Sequence, residues 1–173
     1  MKNLDSNVEY DDGNIDKLKI EIFEKRFGIS LPAMYVNFIV KHDGARLQRS
    51  DFDYLDPNMG GRKNSYSIAF VNFEEIENKI NRLKKADENF PGYGKAFKDG
   101  LVPFGRNGGG DLICFDYRED RTTNDPPIVI WYHEIDFEHR VIFIASNFEE
   151  FVNILYFNEE LEKYLDELYL PPK

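Results

Sequence analysis

The stretch LVPFGRNGGGDLICFDY, residues 101–117, decides how the chain folds. Two apolar runs, Leu101 to Phe104 and Asp111 to Tyr117, flank Gly105-Arg106-Asn107-Gly108-Gly109-Gly110. Asn-Gly sequences supply the positive φ angles that hairpin turns need, so the segment predicts two antiparallel strands and their turn. Two more strand-sized runs follow, Ile128 to Tyr132 and Val141 to Ala145. No helix-length segment separates the four, so parallel crossovers have no room and an antiparallel meander is expected.

The pattern changes on both sides of this block. Downstream, Asn147 and Glu150 open a final helix with Phe151, Leu155, Leu161, Leu165 and Leu168 on its apolar side, and Asn158 is a candidate break. Upstream, Tyr66, Ile68 and Phe70 alternate with Ser65, Ser67 and Ala69 as a strand does. Asn72 and Glu75 resemble a capping box, and Ile76, Ile80 and Leu83 form the stripe of a surface helix. Phe90 to Gly100 reads as loop. Arg46 to Lys63 is Asp-rich and reads as a short strand near Phe52 to Leu55 followed by a turn-rich loop. A first helix is expected from Asn14, with Ile15, Leu18, Ile22, Phe23 and Phe27 at helical spacing and Gly28 as its left-handed terminator. Pro32 suits the first turn of a second helix, which Asp43-Gly44 ends. Residues 1–13 carry few apolar side chains and read as a loose arm. The expected fold is α+β: a mainly antiparallel meander with helices at the N-terminus, middle and C-terminus, in a single domain over residues 14–170.

The chain has 173 residues, 22 basic against 32 acidic, and a formal net charge of −10. An acidic surface repels nucleic-acid phosphates and anionic membranes, which argues against both as partners. It would steer a basic protein inward. No leader or run of membrane-spanning length is visible, so a cytoplasmic location is expected. A lone Cys114 excludes a disulfide framework within the chain and a multi-cysteine zinc site.

The chemistry-bearing residues form no recognisable catalytic pattern. The glycine run leads into a strand rather than a helix and lacks a phosphate-loop ending. His133 and His139 flank Glu134 and Asp136 and could meet around a metal, but they lack an established ligand spacing. Cys114 lies between Ile113 and Phe115, where a small core residue is the ordinary role. Asp51-x-Asp53 lacks the rest of a calcium loop. No catalytic residue, cofactor or metal is expected from these residues.

Two blocks carry a family resemblance. FEKRFGISLPAMYVNFIVKHDGA (residues 23–45) resembles the opening of the SUKH superfamily, with Phe23, Gly28, Leu31, Pro32, Tyr35, Phe38 and Gly44 at its pattern positions. LVPFGRNGGGDLICFDYR resembles its second block, through Pro103, Phe104, Gly110, Asp111, Phe115 and Asp116. PPIVIWYHE and the Asn147–Leu155 helix start follow in the family's order, so the resemblance spans roughly residues 15–157. The chain departs from it in the Arg46–Lys63 and Arg118–Pro126 segments and in an acidic C-terminal extension.

The superfamily includes fungal Smi/Knr-type cell-wall assembly regulators and bacterial immunity proteins. The resemblance implies a non-enzymatic binding protein that neutralises a cognate toxin, often a nuclease, by direct contact. Its partner would be a basic toxin domain. The departing Arg46–Lys63 segment and neighbouring hairpin loops are the expected interface, with Asp51, Asp53, Tyr54, Asp56 and Asp116 as its residues. A regulatory adaptor without a toxin partner is the alternative, and a small metal-dependent enzyme using His133 and His139 a third. Asp111 is expected to cap its turn locally, and Asp116 to be satisfied by Arg118 or Arg106.

Overall fold

The computed structural model describes residues 4–90, 92–134 and 139–159. Seven strands form one antiparallel sheet in sequence order: β1 (Val8–Tyr10), β2 (Arg46–Asp56), β3 (Arg62–Phe70), β4 (Leu101–Arg106), β5 (Leu112–Asp116), β6 (Ile128–Trp131) and β7 (Val141–Ala145). Among the described residues five helices decorate it: α1 (Lys17–Phe27), α2 (Ala33–Ile39), α3 (Phe73–Asn89), α4 (Lys95–Asp99) and α5 (Phe148–Ile154). This is the expected α+β meander in a single domain.

Local chemistry sets the helix ends. Asp16, not Asn14, caps α1 by accepting from the Leu18 N–H, and Gly28 ends it at φ 64°. Asn72 caps α3 by accepting from the Glu74 N–H. Asn147 caps α5 through the Glu150 N–H, and the Glu150 carboxylate reaches back to the Ser146 N–H.

Strand alternation separates the sheet's two faces. Phe115, Ile113, Ile128 and Ile130 share one face through the β5–β6 register. There Tyr35 of α2 packs edge-on against Phe104, Phe115 and Phe148 and stacks over Phe70. Phe151 of α5 meets Phe52 and Phe104. On the other face Trp131 packs against Phe97 of α4 and Tyr93, beneath the Arg140 guanidinium. With both faces covered, all four β6 residues are buried.

Four expectations need correction. Residues 5–10 are not loose: Asp5–Asn7 form a 3-10 turn, β1 pairs with β2, and Leu4 is buried. The Asn7 side chain anchors this edge by bonding both backbone groups of Arg49. The loop expected over 90–100 contains α4, too short to show a periodic stripe and held by buried Phe97. On α1 the apolar residues surround the helix: Ile20 and Phe23 face inward, whereas Leu18 and Ile22 are 57% and 58% exposed. The Asp-rich segment is not mostly loop but eleven residues of β2, a 3-10 turn at Pro57–Met59, and the start of β3. Aspartates have poor strand propensity. Here Ser67 Oγ donates to Asp51 and Ser65 Oγ to Asp53 across the ladder, which offsets it. The leucines at 161, 165 and 168 lie outside the described residues.

Candidate partner-binding surface

The β2–β3 hairpin is paired over its whole outer length, from Asp51↔Ser67 to Asp56↔Arg62. β3 joins β4 at only two positions, Ala69↔Arg106 and Phe70↔Gly105. Beyond Ala69 the hairpin runs past the end of β4 and is no longer paired to it.

Its inner side is tied down by a directed chain of hydrogen bonds. Asn64 Nδ2 donates to Tyr54 Oη at 2.9 Å. Tyr132 Oη donates to Asp56 Oδ2 at 2.7 Å, so the 2.7 Å contact between the two phenols runs from Tyr54 to Tyr132. Burial raises the pKa of Tyr54 and Tyr132, keeping both as neutral donors. The Asn58 N–H also donates to Asp56 Oδ1, and the Asn58 side chain holds the His139 backbone at both its N–H and C=O. The hairpin tip is thereby fastened to β6 and to the chain entering β7.

Asp111 is a second tie. It accepts from Tyr66 Oη (2.9 Å), Asn107 Nδ2 (3.0 Å), the His133 backbone N–H (3.1 Å) and His133 Nδ1 (2.7 Å). Burial alone would raise its pKa, but these donors hold the carboxyl below its ordinary range. Its own N–H donates to Asn107 Oδ1, so the local capping role is present, with long-range ties added. Asp111 forms the floor of a cleft of about 500 Å³ between β3 and the β4–β5 turn, with Ser65, Ser67, His133 and Glu134 on its walls.

The candidate interface residues fall into three environments. Tyr54 and Asp56 are 6% and 3% exposed and point inward, a placement that strand alternation allowed but could not select. Asp51 and Asp53 point outward. Asp51 lies almost flush at 9% exposure, and its backbone pairs with Tyr156. Asp53 accepts from Lys63, Ser65 and Tyr156. Burial opposes ionisation there, but those partners keep the carboxyl below its usual range. Beside them Leu55 and Met59 are 68% and 52% exposed. Asp116 is not brought to this group. It pairs with Leu101, five residues along β4 from Arg106, or roughly 16 Å away. There Arg118 grips it in a bidentate pair with both contacts at 2.8 Å, one of its two expected partners.

No three metal-binding side chains converge among the described residues. His133 is engaged with Asp111, while 135–138, with Asp136, lie outside that range. Cys114 is buried in β5, and burial raises its thiol pKa, so it is a core residue. Sequence reasoning missed Tyr66, Tyr132 and Asn64; tyrosine on a strand is too common a signal to flag them.

These features define an α+β meander domain that directs its buried polar groups to fastening the β2–β3 hairpin. Residues 14–154 match the model of the SMI1 / KNR4 family (SUKH-1), and the chain belongs to that family. It is thus a module of the immunity-protein or Smi/Knr kind. No curated protein matches the sequence. Among the described residues no helix is long and apolar enough to cross a membrane.

Proposed function

We propose that the chain is a non-enzymatic binding protein that neutralises a basic toxin domain by direct contact through the outer side of the β2–β3 hairpin. The observation that carries this reading is the hairpin itself. It runs past the end of β4, is held from behind, and presents Asp53, with nearly buried Asp51 beside it, next to exposed Leu55 and Met59. Carboxylates accelerate encounter with a basic surface, and apolar side chains supply the desolvated anchors that hold it. A ribbon fixed before binding loses little further conformational freedom. Tyr54 and Asp56 support the surface from within rather than touch the partner. Asp116, at the far end of β5 and gripped by Arg118, lies outside this surface.

The test is affinity capture of the tagged full chain from its native cytosol, in parallel with Asp51→Lys/Asp53→Lys. Recovery of a basic toxin-like domain by the wild type, released by high salt and lost with the variant, is expected. Equal recovery by a variant that melts like the wild type would refute the placement. A partner insensitive to both salt and charge reversal would point to a Smi/Knr-type adaptor.

A further inference from the structure

The other outward-facing row of the sheet has the opposite charge. The register aligns Arg46, Ala69 and Arg106 directly across β2, β3 and β4. Two strand spacings separate the arginine Cα atoms by about 10 Å, and only the Ala69 methyl lies between them. Leu112 and Trp131 continue the row, which puts the arginines on the Trp131 face. Lys79 of α3, half-buried, lies near Arg106, and Arg82 follows on the next turn. Burial first, and then Arg106 and Arg82, hold the Lys79 ammonium below its ordinary pKa; Glu75 offsets this in part.

Cations that crowd together are costly unless something neutralises them. Carboxylates are abundant in this chain, and Lys19, Arg26, Lys41, Lys63, Lys98 and Arg118 all pair with one. Among the described residues, Arg46, Lys79, Arg82 and Arg106 make no ion pair and donate no side-chain hydrogen bond, as is also true of Lys17, Lys25 and Arg62; what sets Arg46 and Arg106 apart is their alignment across Ala69. Arg46 and Arg106 line a groove of about 560 Å³ that runs along the opening between β3 and the β4–β5 turn, with Glu9 as its carboxylate. At its end the turn offers the Gly108 and Gly109 N–H groups, which donate to no described residue. Nothing within 4 Å occupies the space where a Gly108 side chain would sit. Guanidinium forks beside free backbone N–H groups form a phosphate-binding combination.

We propose that Arg46 and Arg106, with the Gly108 and Gly109 amides, bind a diphosphate-sized oxyanion. The two arginines grip it from either side of Ala69. Asp51 and Asp53 lie beyond the β2 irregularity, so this site can fail without affecting the hairpin reading, and the reverse.

Titrating the ¹⁵N-labelled full chain with sodium pyrophosphate at constant ionic strength tests the site. Saturating shifts are expected at Ala69, Arg106, Gly108 and Gly109. A loss of at least tenfold in affinity is expected in Arg106→Ala and Arg46→Ala, both exposed positions. Shifts that grow linearly without saturating would overturn the proposal. So would wild-type affinity in both variants, or sulfate binding as tightly as pyrophosphate. A hexaglutamate peptide is the second arm. If it saturates those amides and pyrophosphate does not, the groove takes a carboxylate-bearing protein segment and the phosphate assignment is wrong.

Discussion

Tyr132→Phe removes one oxygen from the chain that fastens the hairpin, and the structure gives the consequence. Asp56 Oδ2 loses its 2.7 Å donor and keeps only Asn64 Nδ2 at 3.5 Å, at the limit of a hydrogen bond. The Tyr54 hydroxyl loses its acceptor, because Asn64 already donates to its oxygen. A hydrogen bond to a charged group contributes about 1.5–3 kcal/mol, and an orphaned buried donor costs about 1–3 kcal/mol. Partial relaxation of the tip leaves an expected loss of about 3 kcal/mol. For a domain of this size that lowers the melting temperature by roughly 6–12 °C. Tyr66→Phe is the internal comparison. Asp111 would keep Asn107 and both His133 donors, so the loss should be about 1 kcal/mol. Urea unfolding and calorimetry of both variants measure the difference. If Tyr132→Phe melts within about 2 °C of the wild type, or loses no more than Tyr66→Phe, the hairpin is held by something other than this chain.

Asp111 makes stability depend on pH. Its carboxyl is held below its unfolded value, so its contribution is complete above about pH 4 and is lost as pH falls through the folded pKa. The stability gap between wild type and Asp111→Asn should therefore shrink on acidification below about pH 4 in urea titrations. A gap that widens there would mean the carboxylate is not the stabilised form. Gly28→Ala meets no atom within 4 Å and should cost only the left-handed backbone penalty, about 1–2 kcal/mol. Gly44→Ala, at φ 60°, meets only the tip of the exposed Asp12 side chain, which can swing aside, so it should melt close to Gly28→Ala; a clearly larger loss would mean that Asp12 is fixed in place. Cys114 should resist a thiol reagent in the native state and react stoichiometrically in urea; rapid native labelling would contradict its burial.

Much of the fold was legible because it is written in local chemistry. Gly28 is placed where a left-handed residue ends a helix, and Asn72 and Asn147 where side chains cap helix N-termini. The glycine-rich turn and four apolar runs announce an antiparallel block without reference to any distant residue, although Gly110, at φ 101°, and not Asn107-Gly108 carries the positive φ. The candidate site was legible only in outline. The Asp-rich segment stood out, but three aspartates and a tyrosine at alternating positions define two faces without saying which is covered.

By itself, then, the sequence determined the α+β class, the antiparallel run from β4 to β7, and a net charge of −10, since all three follow from periodicity, turn chemistry and counting. The tertiary structure decided what those patterns do. It turned Tyr54 and Asp56 inward and Asp51 and Asp53 outward, left Leu18 and Ile22 in solvent, and aligned Arg46 with Arg106 across Ala69. Each of those outcomes depends on which strand or helix arrives alongside. Asp111 shows the reason most directly: its four donors come from Tyr66, Asn107 and His133, residues up to 67 positions apart in the chain. Only a closed register brings them within 3.1 Å of one carboxylate.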